Sequence, residues 1–167
     1  MATNISGATG VSKVQTGAIE TGDLPAGSVL QVVSASTDTT VVMSSNTLVD
    51  TGLTATITPK FSTSKILVLI HQNGVHKYIN YAANDVRIKL FRGSTEISML
   101  ANSVGFTNTA MNLYSATTST SYLDSPSTTS ATTYKTQFAN PDAGSSGGTC
   151  AVQQSAESTI TLMEIAG

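Results

Sequence analysis

Residues 50–72, DTGLTATITPKFSTSKILVLIHQ, decide the fold class. Leu53, Ala55 and Ile57 alternate with Thr54, Thr56 and Thr58, the period of a strand with one dry and one wet face. Pro59 ends the pairing, because it has no N–H to give a ladder. Residues 60–64 are polar apart from Phe61 and read as a connection. The unbroken run at 66–70, ILVLI, is too short for a helix and rich in β-branched residues, which predicts a strand buried on both faces. In a two-sheet protein one of those faces is the core. The other needs a loop, an arm or a neighbouring subunit to cover it.

Working outward, the same short periods recur. Strands are expected at 28–34, 40–44, 48–58, 66–72, 85–92, 95–100, 118–123, 131–139, 149–153 and 158–165. The clearest unit is the hairpin DVRIKLFR, Gly93-Ser94, TEISML, in which Val86, Ile88 and Leu90 face in and Arg87, Lys89 and Phe91 face out. Asn73-Gly74 reads as a turn, 76–84 as a loop or a loop holding one strand, and 140–148 as a long loop. No segment sustains a 3.6-residue period. About ten short strands at roughly ten-residue spacing predict an all-β, jelly-roll-like β-sandwich of antiparallel strands. Residues 1–27 have no period and five glycines, and are expected to form an extended anchoring arm; 28–167 are the knob domain.

Composition narrows function. The 167 residues carry a net charge of −2 with 11% charged side chains, so there is no electrostatic footprint for nucleic acid or an anionic membrane. The one cysteine, Cys150, excludes an internal disulfide framework and reads as a small buried side chain. No apolar run approaches the roughly 20 residues that span a bilayer, and residues 1–10 lack the basic and apolar regions of a signal peptide. Synthesis in a cytoplasm is the expectation.

Signals for chemistry are weak. His71 and His76 are the only histidines, and a tetrahedral metal site needs at least a third ligand. No nucleophile elbow, zincin, phosphate-loop or dinucleotide motif occurs, so no enzyme, cofactor or metal is expected. Tyr78 and Tyr81, beside Asn80 and Asn84, form an aromatic and amide cluster suited to sugar faces. Tyr78, Asn80 and Tyr81 are therefore candidate glycan contacts, set against the blander reading of packed loop residues.

The stretches DTGLTATITPKFSTSKILVLIHQNGV, RIKLFRGSTEI, SPSTTSATTYKTQFAN and STITLMEIAG, with the entry TGAIETGDLPAGSVLQVV, resemble the C-terminal modules of tail-fibre-like and small structural proteins of tailed bacteriophages. The resemblance runs from Gly17 onward. It implies a homotrimer of β-modules without catalysis, and supplies no functional motif. In long fibres a shaft precedes this module, whereas about two dozen residues do here.

The expectation is a virion structural protein: a trimeric knob tied by its arm to a major capsid or tail protein, decorating or cementing the capsid. Ile5, Val11, Val14 and Ile19 are the expected particle anchors, and Leu67 and Leu69 the expected trimer interface. Alternatives are a short tail fibre or fibre tip binding host surface glycans, and a carbohydrate-binding module.

Overall fold

The computed structural model describes residues 20–78, 84–106, 114–143 and 148–167. They form ten strands: β1 (Val29–Thr37), β2 (Val41–Met43), β3 (Val49–Ile57), β4 (Lys65–Tyr78), β5 (Val86–Arg92), β6 (Thr95–Val104), β7 (Tyr114–Asp124), β8 (Thr132–Ala139), β9 (Thr149–Val152) and β10 (Ser158–Ile165). A 3-10 turn at Thr21–Asp23 precedes them. All pairings are antiparallel.

Two sheets result. Sheet A runs β1-β10-β4-β9-β2, with β7 on the other side of β4; sheet B runs β3-β8-β5-β6. Without the short β2–β9 pair, the strands lie 1-10-4-7 over 3-8-5-6. That is the order of an eight-stranded jelly roll, so the expected sandwich is the one observed.

The core follows from alternation. Ile66, Val68 and Ile70 of β4 meet Leu53 and Ile57 of β3, Leu90 of β5, Tyr134 of β8, and Ile160 and Leu162 of β10. Each such side chain contributes about 1.5–3 kcal/mol relative to exposure. A second cluster, Met43, Val75, Val86, Ile88, Phe138, Cys150 and Val152, fills the other end.

Between the clusters lies a belt of buried polar groups. Gln72 donates from Nε2 to Ser158 Oγ at 3.1 Å and accepts at Oε1 from Thr136 Oγ1 at 2.9 Å. Thr136 Oγ1 lies 2.6 Å from Thr51 Oγ1. The belt crosses from sheet A to sheet B with its side chains satisfied, as burial demands.

Two local expectations change. Asn73-Gly74 is a bulge inside one 14-residue strand, β4, rather than a turn. Gly74 has φ +56, and the Asn73 and Gly74 carbonyls accept from the amides of Gln153 and Gln154. The strand continues because β7 pairs along one side of it, while β10 and then β9 pair along the other. Phe91 sits on β5 between Lys135 of β8 and Glu96 of β6, with the outward alternation expected, yet is only 8% exposed.

Candidate interaction surface

Within the chain, the two faces of β4 differ in burial. Ile66, Val68 and Ile70 are fully buried against sheet B, whereas Leu67 and Leu69 point away from it and are only half-buried within the chain. Strand register shows what surrounds them. Leu67 stands opposite Met163 of β10 on one side and Leu123 of β7 on the other, and Met163 stands opposite Val32 of β1. Val32, Met163, Leu67 and Leu123 thus form one continuous apolar row across four strands. The next row toward the chain termini holds Val29, Ile165 and Lys65.

In the other direction the face turns polar but stays uncharged. The third row is Ser34, Thr161, Leu69 and Ser121; the fourth is Ser36, Thr159, His71 and Ser119. Ser34 Oγ lies 3.2 Å from Thr161 Oγ1, and Ser119 Oγ lies 3.0 Å from His71 Nδ1. Over these four rows Lys65 is the one Lys, Arg, Asp or Glu.

Buried titratable groups cluster elsewhere. Glu164, on the inner side of β10, accepts from Gln31 Nε2 at 2.6 Å and from the Lys60 amide at 2.7 Å. Burial alone would raise its carboxyl, but these bonds outweigh burial and hold it below the ordinary value. At the far end of the sandwich, burial lowers the Lys77 ammonium, opposed by Asp85, and raises the Asp85 carboxyl. Burial, with Asp85 second, pushes the Cys150 thiol up to about 12. A fully buried, protonated thiol is a packing group and not a nucleophile.

His71 lies on the outer face of β4, and His76 follows beyond the bulge in the same strand, so the pair does not face across a hairpin. Among the described residues no group of three or more His, Cys, Asp or Glu could hold a metal ion. Among them, too, no helix is long and apolar enough to cross a membrane. Tyr78 closes β4. Its side chain, with Asn80 and Tyr81, lies outside the described residues, as do the anchors Ile5, Val11, Val14 and Ile19. Sequence reasoning singled out Leu67 and Leu69 on this face but not Val32, Met163 and Leu123 beside them. These three sit in strands whose alternation was visible, but only the register puts them in one row.

No protein-family model matches the chain, and no curated protein matches it. Among solved structures, the crystal structure of the infectious bursal disease virus VP2 subviral particle is similar at a TM-score of 0.43 and 12% identity. The match covers 84% of this chain and 38% of that one. At that score and identity the likeness carries no argument about function.

Proposed function

We propose that this chain is a structural protein of a tailed-phage virion, displayed as a homotrimeric knob on the capsid and held there through residues 1–27. The observation that carries the proposal is the outer face of sheet A: an apolar row that the chain leaves half open, on a face with one charged side chain. Monomeric soluble proteins rarely leave a contiguous apolar band uncovered, and such bands mark contact surfaces. The jelly roll supports the reading at the level of fold alone, since viral shell and lectin domains both use it. The resemblance to phage fibre modules supports the trimer and the absence of catalysis. Trimeric assembly raises the hold of each arm, because a second and third anchor bind at high effective concentration.

The test is direct. Antibody to this protein should label purified virions over the head, and light scattering of the purified chain should give three times its monomer mass. Label confined to the tail tip would replace the capsid assignment. Absence from purified particles would end the virion reading altogether.

A further inference from the structure

We infer that the apolar row of sheet A joins copies of this chain head to tail, the β1 end of the row on one copy meeting the β7 end on the next. This rests on the proposal that the chain assembles with itself through this face, and goes beyond it by assigning which margins of the row pair. Exposure along the row is uneven. Val32 at one end is 55% exposed and Leu123 at the other is 51%, whereas Met163 and Leu67 between them are half-buried by their own neighbours. The unfilled contact capacity therefore lies at the two margins, on different strands about 14 Å apart by strand spacing. A contact that joins two different margins is heterologous, and closes into a ring when the rotation between copies allows.

The charge pattern favours a second copy over other occupants. Nucleic acid or an anionic surface would find only Lys65 to pair with. A charged protein partner would lose its hydration against Val32, Met163, Leu67 and Leu123 without gaining an ion pair. Another copy of the same face brings no charge but Lys65, at its edge, and meets the apolar row with little repulsion. The outer side of sheet B is a poorer candidate, since it carries several charges that already have partners within the chain: Lys135 with Asp50 and Lys89 with Glu96, each at 2.8 Å, and Arg87 on Asn102 Oδ1 at 3.1 Å.

The experiment uses the full chain with three changes: Val32→Lys, Leu123→Asp, and both together. Mass is read by light scattering across a concentration series, and folding by thermal melting. Each single variant should keep its fold and associate at least tenfold more weakly than the wild type, because an isolated charge then faces an apolar margin. The double variant should regain the wild-type mass, since each contact then pairs a lysine with an aspartate, and that recovery should weaken in high salt. The milder variants Val32→Thr and Leu123→Ser keep the test open should a charged single variant fail to fold; they should weaken association in the same order. Single variants that assemble like the wild type would remove the row from the interface while leaving self-assembly standing. Folded monomers that the double change does not rescue would overturn the head-to-tail pairing. A wild-type monomer would overturn the trimer and this inference together.

Discussion

The two outer faces of the sandwich solve the same problem in opposite ways. On sheet B, Thr54, Thr56, Thr133, Lys135 and Gln137 face solvent, and the charges close on one another: Asp50 takes hydrogen bonds from Lys135 and Gln137, and Lys89 meets Glu96. On sheet A the equivalent positions are Val32, Met163, Leu67 and Leu123, then serines and threonines. Both faces belong to strands with the same inward alternation, so the core cannot explain the difference. Sheet B is finished as a surface by its own side chains. Sheet A is left with half-open apolar area and, over its four outer rows, Lys65 as its one charge, the pattern that the proposed self-contact uses.

Glycine substitutions should separate the sheets most sharply. Gly74 in sheet A and Gly93 in sheet B have nearly equal positive φ, +56 and +58. A Cβ at Gly74 would lie 2.4 Å from the Gln154 backbone nitrogen, whereas a Cβ at Gly93 meets nothing within 4 Å. Gly74→Ala should therefore cost about 3 kcal/mol or more, and Gly93→Ala only about 1 kcal/mol, set by backbone conformation alone. Denaturant unfolding of the two variants checks this, and equal losses would show that the bulge tolerates a side chain.

Next in size is Glu164→Gln. The fully buried carboxylate collects the Gln31 side chain and the Lys60 amide, so losing its charge should cost about 1.5–3 kcal/mol. The sign of the pH effect follows from the lowered pKa. Its contribution is full above the ordinary carboxyl value of 4.5 and is lost as pH falls through the lower folded value. Wild-type stability should drop on acidification in that range, and the variant should drop less. A parallel decline in both would assign the acid loss to other groups.

Thr136→Val follows at about 1–3 kcal/mol, because it leaves Gln72 Oε1 and Thr51 Oγ1 buried without Thr136's hydroxyl. Chemical denaturation against wild type reads it, and a variant as stable as wild type would mean that the belt is dispensable. The smallest effect belongs to sheet B's surface. Lys135→Ala should change stability by at most about 0.5–1 kcal/mol and leave assembly untouched, since Asp50 is largely exposed and its ion pair is screened. A larger loss, or a change of mass in solution, would blur the contrast between the faces.

How far the sequence speaks is clear from particular residues. Wherever the signal was local alternation, strands came out nearly as observed. The closing strand Ser158–Ile165 and the hairpin around Gly93 are examples. The Asn73-Gly74 dipeptide misled because its local chemistry is that of a hairpin turn, while the decision was made by strands pairing along both sides of β4. The apolar row was only partly legible. Leu67 and Leu69 stand out in the ILVLI run, but Val32 and Leu123 join them only through registers that link residues far apart in sequence. The belt was not legible at all, since Gln72, Thr136 and Thr51 are ordinary polar letters until they meet across 64 and 85 positions.

That belt also bears on how the chain avoids wrong answers. Alternation rejects a strand that slips by one residue, because every apolar side chain would turn to water. It is blind to a slip of two, which restores the parity. The belt is not blind. Moving β8 two places against β4 would set Tyr134 or Phe138 where Thr136 now meets Gln72, and strand a buried amide at about 1–3 kcal/mol. Four polar side chains between two apolar clusters thus act as an error check on alignment in a fold whose strands otherwise look much alike.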